Sequence, residues 1–122
     1  MKLKLRLEKA PLEKFISVSN NRHNIIALNV QTNERFALKI ENKRCNNLLE
    51  EESHILLYLK GEEGIPQILS YGYSGQSNVL VMELLGPSLN SLLEKNNGTF
   101  SLKTVCLLGD QIVYIYILIE YS

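Results

Sequence analysis

Two oppositely charged residues stand where the apolar pattern of the chain would carry them inward. Lys39 lies in Phe36-Ala37-Leu38-Lys39-Ile40, where a period of two puts Phe36, Leu38 and Ile40 on one strand face and Ala37 with Lys39 on the other. A small residue beside a lysine leaves room above that face. Glu52 falls in a segment that reads as a helix from about Leu48 to Leu59, closed by Gly61, with Gly64 and Pro66 following. At 100° per residue, Leu48, Leu49, Ile55, Leu56 and Leu59 all lie within about 60° of Glu52. That puts Glu52 at the centre of the apolar stripe, while Glu50 and Glu51 point to a solvated face. A carboxylate carried toward a core needs a cation, and Lys39 is the natural candidate. On these residues alone two readings stay open: a Lys–Glu pair, and one Glu of a charged run tolerated near the edge of a stripe. Breaking such a pair on one side costs roughly 3–5 kcal/mol where it is desolvated and less where it is wet.

The remaining chemistry is bounded by what is scarce. There are 12 asparagines but a single aspartate, Asp110, so a mechanism needing two aspartates is not complete within these 122 residues. Thirteen Lys and Arg balance 13 Asp and Glu, which argues against nucleic acid or an anionic membrane as the main partner. Cys45 and Cys106 are far apart in sequence and no secretory segment precedes them. They read as reduced thiols of a cytoplasmic protein, with the nucleus as the alternative compartment. Asn97-Gly98-Thr99 matches a glycosylation sequon but is better explained as an Asn-Gly turn. The longest unbroken apolar stretch, Ile112 to Ile119, is well short of the ~20 residues that span a bilayer, so no membrane crossing is expected.

With 45% apolar and 21% charged residues, the chain has the material for one core and about one domain's length on a ~150-residue prior. Lys2 to Leu7 alternates basic and apolar residues, as an edge strand or arm does. Phe15 to Val18, Ile25 to Val30 and Arg35 to Ile40 read as strands separated by hairpin turns at Asn20-Asn21 and at Gln31 to Glu34. Gln67 to Tyr71 and Asn78 to Leu84 form a third hairpin about Ser74-Gly75-Gln76. After Gly86-Pro87, Ser88 caps a short helix to about Lys95 and Ser101 caps a longer one from Leu102. Gln111 to Tyr121 has strand propensity but follows a capped helix, and we read it as the helix continuing. The order implies an α+β domain with an antiparallel sheet and helices beyond it.

These segments resemble the casein kinase I family of serine/threonine protein kinases over nearly the whole chain. Phe-Ala-Leu-Lys39-Ile-Glu looks like that family's β3 lysine strand, and Leu-Leu-Glu-Glu-Glu52-Ser like its αC helix. Gly64-Ile-Pro66 is similar to its loop before β4, and Asn78-Val-Leu-Val-Met-Glu-Leu-Leu-Gly-Pro-Ser-Leu89 to its β5, hinge and αD start. Phe100-Ser-Leu-Lys-Thr-Val105, followed by Asp110-Gln111, looks like its αE helix. The resemblance implies a partial protein kinase domain over 1–122, with an N-lobe and hinge over 1–85 and the first C-lobe helices over 86–122. It implies ATP with Mg as cofactor, protein substrates or docking partners, and phosphorylation of protein Ser/Thr. Lys39 would hold the α- and β-phosphates and pair with Glu52, and Ala37 would form part of the adenine roof. Met82 would be the gatekeeper, and the backbone of Glu83 and Leu85 would meet the adenine edge. For Met82 and Leu85 the competing reading is plain strand core.

Two departures shape the expected function. Ser17, Ser19 and Arg22 occupy the three glycine positions of the family's phosphate loop. Side chains there weaken a cradle that depends on free backbone φ; Arg22 reads either as a substitute phosphate contact or as a solvated turn residue. No His-Arg-Asp segment is present, so the aspartate base and the aspartate metal ligand of kinase chemistry are both missing and this chain alone is expected not to transfer phosphate. The apolar residues of the last helix would lack their usual C-lobe packing, which predicts poor solubility of the purified chain. Two rivals remain: a non-catalytic, pseudokinase-like interaction module, and a small antiparallel-sheet binding domain unrelated to kinases.

Overall fold

Turn-forming asparagines and glycines cut the first 85 residues into five strands and a helix. In a computed structural model, residues 15–21, 24–42, 44 and 47–121 are described. The strands are β1 (Phe15–Asn21), β2 (Asn24–Asn29), β3 (Arg35–Asn42), β4 (Ile68–Ser74) and β5 (Ser77–Glu83), with helix α1 (Leu48–Tyr58) between β3 and β4. They make one antiparallel sheet in the order β1-β2-β3-β5-β4. The fold is therefore α+β, with the antiparallel sheet followed by two further helices. The Lys2 to Leu7 segment lies outside the described residues.

Local chemistry explains most of the boundaries. Between β2 and β3 the Asn29 side chain accepts the Gln31 amide at 2.9 Å, and Asn33 takes φ 60°, a left-handed conformation that asparagine tolerates better than most residues. Gly75 makes the β4–β5 hairpin at φ 58°. The first hairpin departs from expectation. Asn20 and Asn21 do not form the turn but pair with Ile25 and Asn24 inside the ladder, with a register shift between Ser17 and Ser19. Residues 22 and 23, which join the two strands, lie outside the described residues. Cross-strand pairing has overridden a local turn signal.

The core of this unit sits between one sheet face and α1. Leu49, Ile68, Tyr71, Leu80 and Met82 form the buried cluster, with Ala37, Leu56 and Leu57 packed against it. Period-two alternation puts Ala37, Lys39 and Glu41 on that face. Their directly opposite partners on β5 are Met82, Leu80 and Asn78. The helix presents a different face from the one its apolar residues suggest: Leu48 is 61% and Ile55 54% exposed, whereas Ser53 is fully buried. Ser53 is small enough for close approach to the sheet, and its hydroxyl donates to the Glu50 carbonyl at 2.7 Å, so its burial leaves no unpaired donor. The buried arc thus centres between Leu49, Ser53 and Leu56, and Glu52 stands at its edge rather than at its centre.

The chain divides into two compact units, Met1–Leu85 and Gly86–Ser122. The second holds α2 (Leu89–Lys95) and α3 (Leu102–Tyr121). Ser88 caps α2 by accepting the Ser91 amide at 3.1 Å, and Ser101 caps α3 by accepting the Thr104 amide at 3.2 Å. Asn97 and Gly98 turn the chain between them with φ 56° and 78°. Gln111 to Tyr121 continues α3 as helix. By length and composition α3 is apolar enough to cross a membrane. The criterion of an unbroken apolar run passes over it because Lys103 and Asp110 interrupt the sequence.

Candidate functional site

Lys39 and Glu52 meet. The Lys39 Nζ donates to Glu52 Oε1 at 2.5 Å, with the two side chains 51% and 37% exposed. Strand β3 supplies the lysine and α1 the glutamate, thirteen residues later. The pair is wet, so the desolvated figure does not apply. Its net contribution to stability is about 0–1 kcal/mol. An exposed ammonium held in a fixed direction by a carboxylate remains open to a second anion.

Of the other expected residues, Ala37 and Met82 share the sheet face of Lys39. Ala37 lies directly opposite Met82, and Lys39 directly opposite Leu80. Met82 is 6% exposed and belongs to the buried cluster, which agrees with strand core and leaves its side chain beside Ala37. The Glu83 amide donates to the Gln67 carbonyl at 2.9 Å, tying the end of β5 to the chain entering β4. Leu85 is 55% exposed and lies past the end of β5. Among the described backbone hydrogen bonds outside helices and strands, none engages Leu85. Ser17 and Ser19 lie in β1, paired with Ala27 and Ile26. Arg22 and Cys45 lie outside the described residues. Cys106 is a free, exposed thiol.

Beside the ion pair is a drier junction that the motif reading passes over. Glu41 is two residues from Lys39 on the same strand face. Its Oε2 accepts the backbone amide of Leu49 at 3.3 Å and the Asn78 Nδ2 at 3.3 Å. A carboxylate only accepts, which fixes which way the Asn78 amide points. Its Oδ1 is buried without a partner. The available signal was the strand period, which groups Glu41 with Ala37 and Lys39; Asn78 becomes its neighbour only through the β3–β5 register.

Below these groups Tyr71 is buried, its hydroxyl without a hydrogen-bond partner. Burial, and then the negative charge of Glu50, push its pKa up to about 12. Its ring meets Tyr73 edge-on, with centroids 6.0 Å apart. Among the described residues no cluster of three His, Cys, Asp or Glu side chains gathers to hold a metal. No protein-family model matches the chain.

Proposed function

We propose that residues 15–85 are the ATP-holding half of a casein kinase I-like serine/threonine protein kinase domain, and that these 122 residues alone do not transfer phosphate. The observation carrying this reading is the Lys39–Glu52 pair between a central strand and the following helix. Such a pair keeps an ammonium extended and directed, which suits the α- and β-phosphates of a nucleotide. Ala37 opposite Met82, on the strand face that carries Lys39, supports an adenine slot there. The residues present fit a nucleotide triphosphate. They do not fit its Mg²⁺: the one aspartate, Asp110, lies within α3, and among the described residues no three His, Cys, Asp or Glu side chains gather to hold a metal.

A non-catalytic interaction module is the second reading, favoured by Ser17, Ser19 and Arg22 at the glycine positions of the resemblance. Under either reading the proposed compartment is the cytoplasm, with the nucleus as the alternative. Calorimetric titration of the 122-residue chain with ATP and Mg²⁺ separates the two. We expect millimolar or tighter binding that disappears in Lys39→Ala, with stability changed by no more than about 1 kcal/mol because the pair is exposed. Absence of heat from the wild-type chain would overturn the nucleotide reading and leave the module.

A further inference from the structure

Helix α1 starts without a cap of its own. Asn47 at its N-cap position is left-handed, at φ 52°, and its side chain makes no capping hydrogen bond. The amide of Leu49, the second residue of the helix, is one that an N-cap side chain ordinarily satisfies. Here it is taken by Glu41, eight residues earlier and on β3. The same carboxylate oxygen is held from a third element, β5, by the amide of Asn78, which is 2% exposed. Negative charge at this end of a helix is also favoured by the helix dipole.

The geometry points to Glu41 as the positioning residue of the Lys39–Glu52 pair. Lys39 and Glu41 are neighbours on one strand face, about 7 Å apart along β3. Leu49 and Glu52 are three residues apart, about 4.5 Å along the helix axis. Glu52 meets Lys39 and Leu49 meets Glu41, so α1 is fastened to β3 at two points, with the helix and the strand running in opposite senses. Leu49, Leu56 and Leu57 hold α1 against the sheet, but apolar packing is not directional, and one polar fastening leaves the helix able to turn on that face. Two fix its direction. The outer one, at Lys39, is wet and weak; the inner one is braced by a buried amide. The inner contact therefore decides where Glu52 stands and the outer one follows. What matters in Glu41 is its reach and an acceptor oxygen.

As an account of the ion pair this stands by itself; as an account of nucleotide binding it rests on the ATP reading above. The test uses the full 122-residue chain with labelled lysine, following the Lys39 side-chain NMR signal and the amide exchange of Leu49. Pairing is read as the movement of the Lys39 signal on Glu52→Gln, which a general loss of stability does not mimic. In Glu41→Gln, which keeps reach and an acceptor, that movement is retained. In Glu41→Asp, one methylene shorter, it falls by more than half and Leu49 exchanges about fivefold faster, as loss of a cap predicts. Should Glu41→Asp not fold, Asn78→Ser takes its place with the same expected losses. Retention of pairing in the short variant, or its loss in Glu41→Gln, would overturn the proposal. ATP titration of the same samples keeps the two ideas apart: no heat with an intact Lys39 response sinks the nucleotide reading alone.

Discussion

Among the described residues of the first unit, Ala27, Leu80 and Val81 lose all of their exposure and six further apolar residues are buried with them; in the second, no residue of α2 or α3 is buried although α3 is among the most apolar segments of the chain. Apolar composition and core are therefore different things here. The strands of the sheet unit are marginal individually and are held by what they cover. Helix α3 instead closes its hydrogen bonds within itself, needs only the Ser101 cap to start, and exposes Leu102, Ile112 and Tyr116. Stability is thus concentrated before Gly86, and local helical order after it.

The sharpest way to break this comparison is to delete the same side chain in each unit. Leu80→Ala is expected to cost about 2–5 kcal/mol in urea unfolding, whereas Leu107→Ala, at a 53% exposed position of α3, should change stability by no more than about 0.5 kcal/mol. Equal losses would mean that the two units do not differ as described. A smaller effect sharpens the helical half. Ser101→Ala removes the α3 cap and should lower far-UV helicity at a cost of about 1 kcal/mol, leaving exchange protection of the β5 amides unchanged.

The smallest effect at neutral pH belongs to the sheet half. Tyr71 binds its proton more tightly folded than unfolded, with a folded pKa of about 12 against 10 for free tyrosine. The stability this contributes is present below pH 10 and is lost as pH rises through 12. Tyr71→Phe should be neutral or slightly stabilising at pH 7, since it removes a buried hydroxyl without a partner. It should also flatten the alkaline decline seen in thermal melts between pH 10 and 12. An unaltered decline would place the titrating group elsewhere.

Features set by neighbouring residues were legible before the fold was known. Ser88 and Ser101 announce helix starts because a cap acts within three residues, and Gly75 announces its hairpin because the turn needs a positive φ. Lys39 and Glu52 do meet, an outcome that periodicity left as one of two readings and that only the resemblance to a kinase β3 strand and αC helix singled out. The angle of α1 was not legible: reading apolar residues alone put Glu52 at the centre of the stripe, whereas α1 buries the small and polar Ser53 together with Leu49. Nor was the Asn20-Asn21 turn, where ladder pairing with β2 prevailed. The Glu41–Asn78 contact joins residues 37 apart and exists only once β5 has found its register beside β3, so nothing local encodes it.

The strand order carries a consequence in time as well as in space. β1, β2 and β3 follow one another in the sheet, β4 and β5 make a local hairpin of their own about Gly75, and the step left over is the docking of that hairpin on β3 by its β5 edge, across the intervening helix α1. The largest fully buried apolar side chains of the sheet, Leu80 and Val81, reach their places only with that docking. A nascent chain that has not yet released Glu83 holds a three-stranded meander with nothing to close it, and its slowest folding event should be the non-local docking of β5. Until then the facing edges of β3 and β5 are open to other chains, a window that a ribosome or a chaperone would have to guard.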